Sequence, residues 1–126
     1  MLLALVFWIT AFLFATVPDL VLADVEITLD TPSAFAEVRA AYGGSFLGYG
    51  LLCFHAARRP TLRGPCLGLC TLVLGAFAAL RLLSFLVDGA PNPHSMFMHG
   101  LESLGFLISL SVWIRFRRGE ERKNVD

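Results

Sequence analysis

A chain of 126 residues that is 56% hydrophobic and 16% charged, with a mean hydropathy of +0.70, is too apolar for an ordinary water-soluble domain of its length. At about 20 residues per crossing it holds four membrane spans with short connections, which excludes enzyme classes that need a soluble cofactor domain. Ten basic and ten acidic residues cancel to a formal zero. No basic stripe outside the membrane-flanking clusters is continuous enough to track the phosphates of a nucleic acid, so that partner is excluded as well.

The first predicted span covers about 1–17 and ends where Pro18 and Asp19 cannot continue an apolar helix in lipid. Val21-Leu22-Ala23 before Asp24 has the small-residue pattern of a signal-peptidase site, but the start lacks the Lys or Arg of a secretory signal. The segment reads as a retained helix, with cleavage the competing reading. From Ala23 to Thr31, Val25, Ile27 and Leu29 alternate with Asp24, Glu26, Thr28 and Asp30, which predicts a short strand or extended segment on the membrane surface. Thr31-Pro32-Ser33 is a helix start, and the second span covers about 33–57, stopping at Arg58-Arg59-Pro60. The third covers about 62–87 and runs into the turn composition Asp88-Gly89-Ala90-Pro91-Asn92-Pro93. The fourth covers about 94–116, and 117–126 reads as a polar, frayed cytoplasmic tail. The expectation is one transmembrane domain over 1–126: an all-α, integral membrane four-helix bundle with a short extended periplasmic segment between its first two helices.

Orientation follows from where the charges lie. Arg58, Arg59, Arg63, Arg115, Arg117, Arg118, Arg122 and Lys123 occupy two short stretches, while Asp19, Asp24, Glu26, Asp30 and Asp88 occupy connections without Lys or Arg. The positive-inside bias puts both basic stretches, and hence both termini, in the cytoplasm. The acidic connections then face the periplasm of a bacterial inner membrane.

Of the seven other charges, Glu120, Glu121 and Asp126 lie in the tail and four fall inside predicted spans: Glu37, Arg39, Arg81 and Glu102. A centrally placed one costs roughly 2.5 to 3.5 kcal/mol on insertion scales, so they should be paired or line a wet cavity. At 1.5 Å per residue, Arg81 and Glu102 sit roughly 9 and 12 Å below the outer ends of their helices, and Glu37 and Arg39 about one to two turns below theirs. All four thus fall in the outer half. Glu37 and Arg39 lie about 200° apart and need partners on other helices. Glu37 shares a face with Ala40, Ala41, Gly44 and Gly48, and Arg39 one with Tyr42, Gly43 and Phe46. Arg81, Ser84, Phe85 and Asp88 align on the third helix, and Ser95, His99, Glu102, Ser103, Phe106 and Ser109 on the fourth. The predicted cluster neutralises Arg39 and Arg81 with Glu37 and Glu102, with Tyr42, Ser84 and His99 as hydrogen-bonding neighbours. It serves either to fix helix register or to bind a small or amphiphilic ligand. Proton or ion movement is a third use, but the inner half offers only Thr71, His55, cysteines and backbone to carry it.

Gly43, Gly44 and Gly48, with Ala36 and Ala40, form a small-xxx-small pattern and predict a helix-packing face. A phosphate-cradling loop is the alternative, without the preceding strand or following Lys that it needs. Gly64 and Gly68, and less regularly Gly100 and Gly105, begin similar faces. Cys53, Cys66 and Cys70 fall toward the reducing side, where disulfides are not expected. They read as small apolar contacts, or with His55 as a metal site. His94, Met96, Met98 and His99 collect soft ligands on the oxidising side, and copper(I) is the pointed hypothesis against ordinary packing. Haem ligation by His99 lacks a second histidine at its depth.

The run from Glu37 to Gly44 with Leu47-Gly48, then Arg81, Ser84 and Asp88-Gly89, then Glu102 after a proline-containing turn, resembles the bacterial family known as domain of unknown function 4345. The resemblance covers about 33–116. It implies a small four-span protein and a shared pattern of Arg39, Tyr42, Gly43, Gly44, Arg81, Asp88, Gly89 and Glu102, and it brings no established activity. The function expected is non-catalytic: an accessory subunit of a membrane complex, or a binder of a lipid or quinone-like ligand, with no cofactor and with the bilayer, a larger complex or a second copy as partner. The alternative is a membrane enzyme, or a metal or haem protein, using His99, Glu102 and Asp88.

Overall fold

A computed structural model of the chain describes the backbone of residues 1–123 and the side chains of residues 1–119. The described residues are helical throughout apart from short connections, and no strand occurs among them. They form two units, 1–60 and 61–126.

The first unit opens with α1 (Leu2–Thr16). It stops because Pro18 has no N–H for the Phe14 carbonyl and its ring crowds that turn. Pro18 then begins α2 (Pro18–Ala23), where proline at the first helical position suits the fixed φ. Of the two readings of Ala23–Thr31, a short strand or an extended segment, the strand does not form. Its first residues instead close α2: Ile27 N–H donates to the Leu22 carbonyl and Glu26 N–H to that of Ala23, with Glu26 left-handed at φ 62°. That is a Schellman closure, which takes the backbone groups a strand would need. Residues 27–30 have no regular structure.

The second leg of this unit is continuous through α3 (Pro32–Val38), a π turn (Arg39–Gly43) and α4 (Gly44–Arg58), and spans about 40 Å. The Thr31 hydroxyl accepts the Ala34 N–H at 3.1 Å and caps α3. Thr31→Ala should cost about 1 kcal/mol, seen as faster amide hydrogen exchange in the first turn of α3; unchanged exchange would show the cap to be idle.

Leg two packs antiparallel to α1 through aromatic rings. Phe14 stacks on Tyr42 and Phe46, Phe7 meets Phe46 and Tyr49, and Trp8 meets Phe54. A Cβ on Gly50 would overlap Cδ1 and Nε1 of Trp8, so the indole occupies the space of a missing side chain.

The second unit begins with a 3₁₀ turn (Pro60–Leu62) leading into α5 (Arg63–Val87), about 37 Å long. The buried Thr71 hydroxyl is satisfied by donating to the Leu67 carbonyl at 2.8 Å. Helix α5 ends at Asp88, Gly89 follows at φ 108°, and Asn92 caps α6 (Pro93–Lys123) by accepting the Ser95 N–H. Helix α6 passes the expected stop at Phe116 and continues to Lys123, so the expected frayed tail is helical up to that residue. Nothing in Arg117–Lys123 breaks a helix, since the stretch is mostly Arg, Glu and Lys with one Gly. Residues 124–126 of the tail lie outside the described residues. Helices α5 and α6 pack antiparallel, with Trp113 over Gly68, Phe106 over Gly75 and Leu74 over Gly105.

Two helical stretches, Pro60–Val87 and Pro93–Gly119, are long and apolar enough to cross a membrane, with mean hydropathies of 2.1 and 1.4 over an apolar window of 18 residues in each. The core helix of a soluble protein would be mostly buried; here 17% of the first apolar window is buried and 0% of the second. Helix α1 is apolar but only 15 residues long.

Candidate functional site

In the second unit, the side chains of Arg81 and Glu102 meet in a two-pronged ion pair. Arg81 Nε donates to Glu102 Oε2 at 2.8 Å and Nη2 to Oε1 at 2.9 Å. This parallel arrangement matches the planar fork of arginine to the two carboxylate oxygens. The antiparallel register of α5 and α6 brings the groups level. The side chains are 31% and 17% exposed, so the pair is partly shielded and holds the two helices in one register.

One turn further along α5, the Ser84 hydroxyl donates to Asp88 Oδ2 at 2.7 Å. Opposite, the His99 ring stands edge-on to Phe85 at 5.4 Å between centroids. Its Nδ1 is buried with no hydrogen-bond partner among the described residues. Arg81, Ser84, Asp88, His99 and Glu102 therefore all lie toward the 88–93 connection, and their polar contacts include an ion pair and a serine–aspartate bond. His94 and Met98 are half-buried in the first turns of α6.

The first unit carries the other sequence-selected residues. Arg39 opens the π turn, and its Nε donates to the Ala15 carbonyl at 3.0 Å. That carbonyl is left open because α1 ends within two residues of it, and a cation there also suits the negative end of the helix dipole. The guanidinium lies 5.3 Å from the Phe35 ring centroid. Within this unit the expectation that a carboxylate neutralises Arg39 is therefore corrected: the partners of Arg39 here are a carbonyl and an aromatic face. Glu37 is exposed, and no ion pair forms between it and Arg39, in keeping with their separation around the helix.

Tyr42 stacks on Phe14 at 5.1 Å, and Gly43 is buried against Ala11 and Ala15. Arg39, Tyr42, Gly43 and Phe46 thus share the face toward α1. Gly44 and Gly48 were expected to share the packing face, but they are exposed, with nothing within 4 Å of where a Cβ would stand. The closest helix contacts fall on Gly50, Gly68 and Gly75 instead. What marks them is a large aromatic on the opposing helix, Trp8, Trp113 or Phe106, and a single-helix small-residue pattern carries no trace of that.

The acidic connection Asp19–Asp30 encloses a shallow cavity of about 460 Å³ lined by Asp19, Ala23, Glu26, Ile27, Thr28, Leu29 and Asp30.

No curated protein and no solved structure matches the chain. The family model described as domain of unknown function (DUF4345) matches residues 1–114, a range that takes in α1, both arginine sites and Glu102, and the chain belongs to that family.

Proposed function

We propose that this protein is a multi-pass integral membrane protein of a bacterial inner membrane. Its four helical legs lie in the bilayer, both termini are cytoplasmic, and its role is non-catalytic: an accessory subunit that packs against a larger membrane complex. The observation that carries the membrane reading is the exposure of apolar side chains along α5 and α6, with Leu72 at 68%, Leu80 at 65% and Leu86 at 77%. Surface of that extent is stable in lipid or against a partner and not in water. The basic stretches at 58–63 and 115–123 support the orientation.

The ion pair favours an accessory role over a charged ligand pocket, because Arg81 and Glu102 satisfy each other and brace their own hairpin. A lipophilic, quinone-like ligand is the second reading, favoured by the buried and unpartnered Nδ1 of His99 beside an aromatic ring.

The protein should stay with membranes through an alkaline carbonate wash. Reporter fusions after residue 60 and at the C-terminus should be active in the cytoplasm, and a fusion after Gly89 in the periplasm. Release by carbonate would reject the membrane reading, and a reversed reporter pattern would reject the orientation. Co-purification of a stoichiometric membrane partner supports the accessory role, whereas a retained small molecule that is lost in His99→Leu supports the ligand reading.

A further inference from the structure

Each helical unit has an arginine near its main connection, and the two differ in what compensates their charge. Arg81 has a carboxylate on two of its nitrogens. Arg39 has none within its unit: its Nε is bonded to the Ala15 carbonyl, one face of the guanidinium lies on Phe35, and no carboxylate among the described residues of that unit forms an ion pair with it. Glu37 leaves another side of the helix, and Asp19, Asp24, Glu26 and Asp30 of the neighbouring connection form no ion pair with it either.

The two contacts that Arg39 does make fix its guanidinium plane while leaving the charge uncompensated. One edge is bonded and one face is covered, which leaves the Nη hydrogens without an acceptor among the described residues of this unit. The side chain is exposed, and in the same hairpin α1 leaves Ile9, Phe12 and Leu13 exposed. A fixed cation beside apolar surface calls for a ligand that has an oxyanion at one end and hydrocarbon at the other. The planar fork matches phosphate oxygens in particular.

We infer that Arg39 binds the phosphate of an anionic phospholipid, with the Nη edge on the phosphodiester oxygens and the acyl chains along the exposed face of α1. The inference rests on the membrane reading above. Free inorganic phosphate offers the same oxygens, but it would leave the adjoining apolar surface bare. Zwitterionic lipid carries its own cation and leaves the arginine charge uncompensated.

The test uses the full chain in nanodiscs of equal phosphatidylcholine and phosphatidylglycerol, with bound lipid read by native mass spectrometry after release. The wild type should retain phosphatidylglycerol severalfold over phosphatidylcholine. Arg39→Gln, whose amide still reaches for the Ala15 carbonyl but carries no charge, should lose that preference. Arg58→Gln, which removes an arginine stacked on Phe54 at the opposite end of the hairpin, should keep it. Phe35→Leu leaves the charge but frees its plane, should weaken the preference, and serves as the deciding variant if Arg39→Gln does not fold. Added inorganic phosphate should not displace the lipid. No preference in the wild type, an unaltered preference in Arg39→Gln or, failing its folding, in Phe35→Leu, or displacement by inorganic phosphate would overturn the assignment. Failure of the carbonate wash would instead strike the membrane reading beneath it.

Discussion

Arg81→Leu is expected to cut the accumulation of the protein sharply and to destabilise the α5–α6 hairpin by about 2 to 3 kcal/mol. Exposed pairs contribute at most about 1 kcal/mol, whereas breaking a buried one costs about 3 to 5. This pair, 31% and 17% exposed, lies between those limits. The loss comes chiefly from the stranded Glu102 carboxylate, so Glu102→Gln should cost less than Arg81→Leu, although both delete the ion pair. Arg81→Glu should be worse than either, since it sets two carboxylates against each other, and Arg81→Glu with Glu102→Arg should recover part of the loss. Thermal unfolding in detergent and the amount of protein in the membrane fraction measure all four. A double exchange no better than Arg81→Glu alone would mean that the pair does not act as a unit.

Gly50→Ala should be nearly as damaging, and Gly48→Ala should not. The new methyl at position 50 would overlap Cδ1 and Nε1 of Trp8, so the indole or the helix must shift. Overpacking of that kind costs about 1 to 3 kcal/mol. Position 48 has nothing within 4 Å, so alanine there should be neutral or stabilise by about 0.5 to 1 kcal/mol through its better helix propensity. With Trp113 replaced by Phe, Trp8 is the remaining indole and its fluorescence reports the shift directly. An unchanged Trp8 spectrum in Gly50→Ala would show that the ring does not occupy the glycine notch. A strongly destabilised Gly48→Ala would instead reveal a neighbour on that face supplied by another chain.

These two sets of variants mark the limits of a one-dimensional reading. The shared face of Arg39, Tyr42, Gly43 and Phe46 follows from helical phase and is the face turned to α1. The small-residue stripe obeys the same periodicity and yet Ala36, Ala40, Gly44 and Gly48 are all exposed, since they share the side of Glu37 and not the side turned to α1, and the π turn at Arg39–Gly43 interrupts the helix along the way. A π turn has no local signature: its extra residue is tolerated because Tyr42 finds Phe14 and Arg39 finds Ala15 across the hairpin. The alternation in Ala23–Thr31 misleads for a related reason, since a strand needs a neighbour to pair with, and without one the chain closes α2 by local hydrogen bonds.

Composition and punctuation alone determine that the chain is helical and apolar, that breaks come at Pro18, at Arg59-Pro60 and at Gly89 to Pro93, and that basic and acidic connections alternate. These depend on steric rules acting within a few residues and on hydrophobicity summed along a helix. Only the tertiary structure decides that Glu102 answers Arg81, that a carbonyl at the end of α1 answers Arg39, and that Gly50, Gly68 and Gly75 receive the aromatic rings. Each of those outcomes turns on a few ångströms of register between helices far apart in sequence, a distance set by the packing of the whole hairpin and by no residue in isolation.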